Sequence, residues 1–172
     1  MSDRVIDELS TRMDGFVEKE GFSGSVLVAQ EGEALLKKGY GRANIELDVP
    51  NTPETRFRIG SITKPFTRLC VMVLEGRGDL SEQDLISTYL SDMPESWEAI
   101  TIHHLMTHTS GIMHSWALPG FTETMAVRAT SQEVIDRFKD QPLVSEPGTK
   151  FHYSGVGHFL LGQLIEKVIR TM

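Results

Sequence analysis

A serine and a lysine stand three positions apart, at Ser61 and Lys64, and this spacing could support nucleophilic chemistry. On a helix, positions three apart share one face with Cβ atoms about 5 to 6 Å apart, so the amine can reach the hydroxyl. A serine hydroxyl is a weak nucleophile near neutral pH and needs a base to take its proton during attack. Lys64 is the candidate base on that turn, so the pair predicts a serine nucleophile that is activated by an amine.

The surroundings of Ser61 favour this interpretation over a simpler one. Two fixed positions in four arise often by chance, and a helix-capping Ser followed by a surface Lys would give the same letters. Here an extended piece at residues 57–59 and then Gly60 precede the serine, and a strongly apolar helix follows it. The serine is therefore predicted at the entrance of a helix that packs into the core.

A tyrosine much later in the chain could take part in the same chemistry. Tyr153 lies in the segment Pro-Gly-Thr-Lys-Phe-His-Tyr-Ser-Gly, residues 147–155, in a predicted loop before the last helix. If it lies beside Lys64, its phenol could share a proton, because a neighbouring ammonium favours the phenolate and lowers the phenol pKa. An aromatic side chain that anchors the loop is an equally good interpretation of the composition.

The elements before these residues are predicted to be one helix and a hairpin. Apolar residues recur every three or four positions from Val5 to Val17, which is typical of an amphipathic helix that ends at Gly21. Strand-like runs at residues 25–29 and 34–36, separated by a turn, predict a hairpin packed under that helix. The Pro and Asn content of residues 44–55 is typical of a loop.

The later part of the chain is predicted to be mainly helical. A helix begins at Ser61 and runs to the glycines at 76 and 78, with Pro65 in its first turn, where the missing N–H is tolerated. Early strands followed by late helices predict an α+β fold. Further helices are expected to begin at Ser81 with Asp84, at Thr101 and at the capping box of residues 130–133, and a last one holds residues 159–168.

The composition argues against several classes of protein. The 172 residues include 17 Lys and Arg against 24 Asp and Glu, a net charge of −7, whereas a nucleic-acid binder would normally carry a basic face. No apolar run approaches the roughly 18 residues of a membrane span. Residues 1–8 carry acids where a signal peptide is basic, so we expect a cytoplasmic protein, or a periplasmic or secreted one if a leader has been removed.

The single cysteine is predicted to have a structural role. Because Cys70 has no second cysteine to pair with, no disulfide can form within the chain. It lies in the apolar run of residues 69–74 with no adjacent charge to favour a thiolate. We therefore expect it to be a small buried hydrophobic residue.

Together these residues resemble the serine beta-lactamase-related family, specifically its group of class C beta-lactamases, penicillin-binding carboxypeptidases and esterases. The similarity extends from about Gly24 to Val168, and the matching stretches occur in the family's order. The joint match is specific, although Ser-x-x-Lys alone is not. The matching stretches are residues 24–29, 57–64, 102–112, 147–154 and 160–162.

The resemblance implies a role for each residue singled out. Ser61 would be the acylated nucleophile, Lys64 its general-base partner, and Tyr153 the tyrosine of the family's Tyr-x-Asn element, which relays protons to and from the leaving group. Gly155 stands in the candidate substrate-binding position where that element usually has Asn, so the amide that would bind the substrate's own amide is missing. The expected substrate is a small ester, a beta-lactam or a D-amino-acid peptide, and Gly155 favours the ester. No cofactor and no metal is implied.

The resemblance also implies that part of the fold is missing. The family has a later strand with Lys-Thr-Gly or His-x-Gly that lines the site and gives one oxyanion-hole N–H, and this sequence reaches Met172 without such a segment. We therefore expect a single partial domain over residues 1–172, with an antiparallel sheet, a helical region and missing C-terminal strands. Loss of one oxyanion donor typically costs about 100- to 1000-fold in turnover. The alternative function is thus a truncated, non-catalytic fragment that serves as a binding or interaction module.

An incomplete sheet would affect assembly. The hairpin that carries Val26 and Val28 would expose an unpaired edge and apolar surface. We therefore expect an isolated chain to form a homo-oligomer or to be marginally stable.

Two further groups of residues allow more than one interpretation. His104 and His108 stand four apart, as in helical zinc sites, but Leu105 occupies the place of the general-base Glu, and the resemblance interprets this stretch as a buried scaffold. The aromatic residues could line a cleft or form a packing cluster, and we assign them to no site. These aromatic residues are Trp97, Trp116 and Phe121.

Overall fold

The computed structural model describes residues 3–171, which form two compact units. One unit ends at Arg58 and the other begins at Ile59. The expectation of a single partial domain over residues 1–172 stays a prediction, and its residues 1, 2 and 172 lie outside the described part of the chain.

The first unit begins with the predicted amphipathic helix, α1, at Asp3–Glu20. Its apolar residues at 6, 9, 13 and 17 are half-buried, as the three- and four-residue spacing requires. The helix ends where Gly21, with φ of 65°, donates its N–H to the Val17 carbonyl at 2.9 Å. A glycine adopts this left-handed conformation without a Cβ penalty, which explains the predicted end.

The predicted hairpin follows as strands β1, Gly24–Gln30, and β2, Glu33–Tyr40, in one antiparallel two-stranded sheet. Its turn has positive φ at both central positions, 52° at Glu31 and 85° at Gly32, which suits the twist of the flanking strands. Asp14 of α1 accepts hydrogen bonds from Lys38 Nζ at 2.7 Å and from the Tyr40 hydroxyl at 3.0 Å. The prediction of a hairpin that packs against the first helix is confirmed.

A second, smaller hairpin lies where a loop is expected. Strands β3, Arg42–Asn44, and β4, Val49–Pro50, form their own antiparallel sheet. The Asn51 side chain donates to the Tyr40 carbonyl at 2.8 Å, and the Asn51 N–H donates to the Gly41 carbonyl at 3.0 Å. These bonds fix the ends of strands that are too short to show alternation in the sequence.

The second unit begins with a one-turn 3₁₀ helix, Gly60–Ile62, that continues into α2, Thr63–Gly76. Pro65 is the third residue of α2, so its missing N–H removes no helical bond, as predicted. Residues 57–59, where a short extended piece is expected, form no strand. The last of them, Ile59, departs from extended backbone, with φ of −89° and ψ of 0°.

Two of the predicted helix starts are confirmed by their caps. The Thr101 hydroxyl accepts from His104 N–H, and the His104 ring accepts from Thr101 N–H, both at 3.2 Å. Thr130 and Glu133 form the second reciprocal capping box. The helices of this unit after α2 are α3, Ile102–Met106, α4, Phe121–Thr124, α5, Ser131–Lys139, and α6, Gly155–Thr171.

The helix expected to open at Ser81 with Asp84 was wrong. Asp84 Oδ2 accepts from Ser81 N–H at 2.8 Å, as a helix cap would predict, but the same oxygen accepts from the Tyr89 hydroxyl at 2.6 Å. These bonds close a turn, and only a single 3₁₀ turn follows, at Ile86–Thr88. A cap-like sequence cannot by itself distinguish a turn from a helix.

The core of the second unit forms where α2, α3 and α6 meet. Val71 and Leu74 are the buried residues of α2, and Ile102 and Leu105 of α3 are fully buried. Other core residues are Ile86, Trp97, Ile100, Leu160, Leu161 and Leu164. The α+β fold class is confirmed.

The expectation that α2 packs into the core is confirmed for one face, through Val71 and Leu74, whereas the expectation that Cys70 is buried was wrong. Cys70 is exposed, and so is a row of large apolar side chains around it. The reason is that only one face of α2, the one with Val71 and Leu74, contacts the core of the second unit, and Cys70 lies off that face. We call the exposed residues Phe66, Leu69, Met72 and Val73 the α2 apolar face.

Within residues 3–171, no helix is both long enough and apolar enough to cross a membrane. The cytoplasmic location stays a prediction.

Candidate active site

Ser61 lies in the one-turn 3₁₀ helix, Gly60–Ile62, that leads into α2, and its side chain is exposed. Gly60, with φ of 52°, turns the chain immediately before it. Lys64 follows on the next turn and is half-buried, and its Nζ donates a hydrogen bond to Ser61 Oγ at 3.2 Å. The helical spacing therefore brings this pair together as expected.

Tyr153 is positioned by the start of α6. The buried Ser154 hydroxyl accepts from Gly157 N–H at 3.2 Å, which caps the helix, and donates to the Met113 carbonyl at 3.1 Å. These two hydrogen bonds fix the position of Ser154. The hydroxyl of the adjacent Tyr153 lies 2.6 Å from Ser61 Oγ. Residues 92 positions apart in the sequence thus share a hydrogen bond.

Lys64 interacts with the tyrosine as well as with the serine. Its Nζ lies 4.9 Å from the centre of the Tyr153 ring. The Lys64 amine and then the Ser61 hydroxyl hold the pKa of the Tyr153 phenol below its ordinary value. Because these neighbours stabilise the phenolate more than water does for a free tyrosine, Tyr153 is suited to accept a proton from the serine beside it.

Two histidine rings flank the phenol ring of Tyr153. The centre of the His108 ring is 4.6 Å away with the planes tilted by 37°, and that of His114 is 5.3 Å away at 20°. Behind His108, the His158 ring stacks at 4.6 Å and 29°. We call Tyr153, His108, His114 and His158 the ring column. Of these four residues, only Tyr153 could be assigned to the site from the sequence.

Two histidines of the ring column, His108 and His158, are buried, and burial favours their neutral form. Burial, followed by the positive charge of Arg68, lowers the pKa of His108 to about 4. Burial, followed by His108, lowers the pKa of His158 to about 4. Arg68 Nε donates to His158 Nε2 at 3.2 Å, a bond that requires an unprotonated nitrogen.

Gly155, the candidate substrate-binding position, is the first residue of α6 and follows Ser154 directly. A Cβ atom at this position would lie 3.9 Å from Ser115 Oγ, an ordinary contact distance. Crowding by other residues therefore does not account for the glycine here.

The histidines considered for zinc do separate tasks. The α3 helix ends at Met106, so His104 and His108 do not share a helical face. His104 caps α3, whereas His108 lies against Tyr153. In the part of the chain that the structure describes, no group of three His, Cys, Asp or Glu residues could hold a metal ion.

The aromatic residues that the sequence could place either in a cleft or in a packing cluster have different surroundings in the structure. Trp97 is fully buried in the core, which fits the packing interpretation. Trp116 is 65% exposed and meets the Phe121 ring edge-on at 5.7 Å.

Comparison with known proteins gives one family. The family model described as Beta-lactamase matches residues 4–170. Among curated proteins, the chain is 31% identical over 163 residues to "Penicillin-binding protein 4*" of Bacillus subtilis (strain 168), a match that covers 92% of this chain and 35% of that protein.

Solved structures show the same likeness. An octameric penicillin-binding protein homologue from Pyrococcus abyssi is 34% identical with a TM-score of 0.78, over 96% of this chain and 39% of that one. A beta-lactamase/D-alanine carboxypeptidase from Pseudomonas syringae is 26% identical with a TM-score of 0.76, over 96% of this chain and 45% of that one. The chain thus spans less than half the length of these relatives.

Proposed function

Because this chain belongs to the beta-lactamase family, we propose that it is the nucleophile-bearing part of a serine hydrolase that works through an acyl-enzyme. The observation that carries the proposal is the hydrogen-bonded group of three. Ser61 Oγ lies 2.6 Å from the Tyr153 hydroxyl and 3.2 Å from Lys64 Nζ. A nucleophile within reach of two groups that can exchange its proton is the arrangement that activated-serine chemistry needs.

The proton of Ser61 has two routes in this arrangement. With a Tyr153 phenolate and a Lys64 ammonium, the phenolate accepts the Oγ–H as the oxygen attacks a carbonyl carbon. With a neutral phenol and a neutral amine, Lys64 accepts it. In both cases the proton is then returned to the leaving group, and water reverses the sequence to release the acid and restore the Ser61 hydroxyl.

The start of the helix supports the developing oxyanion. The first N–H groups of a helix have no carbonyl partner within it, so the Ser61 N–H can donate to the tetrahedral oxyanion. We assign it one half of an oxyanion hole.

We propose a small ester as the preferred substrate class over a beta-lactam or a D-amino-acid peptide. Gly155 has no side chain to bind a substrate amide, and an ester lacks the N–H that such a group would recognise. Some relatives are named for penicillin binding or for beta-lactamase and D-alanine carboxypeptidase activity. Turnover of a beta-lactam or of a D-amino-acid peptide is therefore an outcome that the test must be able to detect.

Covalent labelling tests the proposal directly. We expect a fluorophosphonate to form one adduct on Ser61 of the 172-residue chain, seen by intact mass and peptide mapping. The adduct should disappear in Ser61→Ala, and labelling of Tyr153→Phe should slow by about 100- to 10,000-fold because proton transfer is impaired. Ser96→Ala, at an exposed serine of another turn, is the matched control and should label like the parent chain.

A folded sample without any adduct would instead support the non-catalytic binding module. For substrate class, rates with a p-nitrophenyl ester and with a chromogenic cephalosporin are compared. Faster turnover of the cephalosporin would contradict the preference for esters.

We also infer that the chain forms a homo-oligomer. The similar protein from Pyrococcus abyssi is octameric. In this chain, Leu27 of β1 is 64% exposed, and the α2 apolar face is uncovered. Each is apolar surface of the kind that monomers usually bury.

A further inference from the structure

We propose that His108 is a positioning residue that holds the Tyr153 phenol beside Ser61 and Lys64. This inference rests on the proposed function, since it gives His108 a task in the same reaction. His108 touches no reacting atom of Ser61; it acts through the tyrosine. Three independent contacts of His108 converge on Tyr153 and its two neighbours.

The first two contacts fix the backbone on each side of Tyr153. The His108 carbonyl accepts from His152 N–H at 2.8 Å. The His108 Nδ1 accepts from Ser154 N–H at 3.2 Å. One residue therefore binds the positions immediately before and after the tyrosine, although it lies far away in the sequence.

The third contact fixes the side chain of Tyr153. The face of the His108 ring lies 4.6 Å from the phenol ring, on which the His114 ring also stacks. A phenol ring between two other rings loses rotational freedom, so its hydroxyl stays directed at Ser61 Oγ. Positioning of this kind matters because a displacement of about 1 Å can cost roughly 100-fold in rate.

The conformation of His108 is itself unusual. Its φ is 59°, in the left-handed region where residues other than glycine are uncommon. Only 5% of the residue is exposed, and the His158 ring stacks behind it. A buried residue in a costly conformation indicates that the surrounding structure requires its side chain to point in this direction.

The contacts also require a neutral imidazole. A protonated ring would carry an N–H at Nδ1, which would face the Ser154 N–H and break that bond. The charged and titratable groups around the ring are Lys64 and Arg68 from α2, His158 from α6, and His114 and Tyr153 beside it. Two cations nearby oppose a third positive charge, and the lowered pKa of His108 fits this arrangement.

Two substitutions separate the ring contact from the hydrogen bond. His108→Asn keeps a short acceptor for Ser154 N–H and tolerates the positive φ, but it removes the ring face from Tyr153. His108→Phe keeps a ring face but removes the acceptor and is strained at this φ. His103→Asn, the same change in α3 at a residue that contacts Glu82 instead, is the control.

The measurement is the ultraviolet titration of Tyr153, which needs no substrate. Tyr153 has a lowered pKa, whereas the pKa of Tyr40 is raised and that of Tyr89 is raised to about 12, so the first phenol to titrate is Tyr153. Tyr153→Phe identifies its step by removing it. We expect the step to move to higher pH in His108→Asn, to move less in His108→Phe, which keeps the ring contact but loses the Nδ1 acceptor, and to stay unchanged in His103→Asn.

Labelling with a fluorophosphonate is the second readout. We expect it to slow by about 10- to 100-fold in His108→Asn and to lose the part of its pH dependence that follows Tyr153. The proposal is overturned if Tyr153 titrates normally in His108→Asn, or if both His108 variants shift it equally, since the effect would then be general loosening. Because the titration does not depend on turnover, a failure to label the parent chain rejects the proposed function alone.

Discussion

Tyr153 is the residue on which the proposed chemistry of this site depends most. Lys64 could be predicted from spacing on one helical turn, but the hydroxyl 2.6 Å from Ser61 Oγ comes from another element altogether. The lowered pKa of the phenol is a property of the surroundings, because the Lys64 amine and the Ser61 hydroxyl both stabilise the phenolate. The histidines of the ring column supply flat rings that pack around the Tyr153 phenol, and in their neutral form they add no positive charge to the site.

The buried histidines predict acid sensitivity of the fold. A free histidine has a pKa of about 6.5, whereas the pKa values of His108 and His158 are lowered to about 4. Between these values the unfolded chain binds protons that the folded chain does not, so stability falls as the pH falls through this window and is fully present above it. Burial lowers the pKa of His104 and His114 in the same direction.

Urea unfolding between about pH 7.5 and 5 measures this effect. Each such histidine contributes a slope of up to about 1.4 kcal/mol per pH unit. His158→Phe keeps a ring against His108 but cannot titrate, so its unfolding free energy should depend less steeply on pH. An equal slope in the two proteins would contradict the assignment.

At the scale of elements, two glycines predict substitution effects of opposite sign. Gly111 has φ of 76°, and a Cβ there would lie 2.0 Å from the Ser145 carbonyl oxygen. Gly162 lies within α6, and a Cβ there would meet nothing within 4 Å. One glycine is required by backbone geometry, whereas the other only weakens a helix.

We expect Gly111→Ala to lower the free energy of unfolding by about 2 to 4 kcal/mol, through strain and the close contact. Gly162→Ala should raise it by about 0.5 to 1 kcal/mol, because alanine is the better helix former. Chemical denaturation of both variants at neutral pH checks the pair. A Gly111→Ala chain as stable as the parent would show that the turn can adopt another conformation.

Most of the individual helices and strands could be predicted from the sequence. The first helix, the hairpin and the capped starts of α3 and α5 follow from local periodicity and turn chemistry, which act over a few residues. The exposure of Cys70 could not be predicted, since an apolar run does not tell which face of α2 is covered. The ring column has no periodic signal either, because His108, His114 and His158 meet only through tertiary packing.

At the scale of the whole molecule, apolar surface predicts self-association. Burial of one Leu or Phe side chain contributes about 1.5 to 3 kcal/mol. We expect the chain to sediment as a dimer or larger species, and Leu27→Lys and Leu69→Lys each to weaken association by about 10-fold or more.

Val127→Lys is the matched control, because Val127 is 60% exposed but lies outside both β1 and the α2 apolar face. Sedimentation velocity over a range of concentrations measures the effect. A monodisperse monomer with a cooperative thermal transition would contradict this expectation.

The hydrogen bond between Ser61 and Tyr153 joins the segments that lead into α2 and α6, two helices that local sequence forms independently. In a molten globule, which keeps its helices but loses fixed side-chain packing, α2 and α6 would persist while the oxygens separate. Reactivity of Ser61 would then vanish before circular dichroism in the far ultraviolet changes, so the chemistry of this chain is a more sensitive gauge of its tertiary order than its helix content.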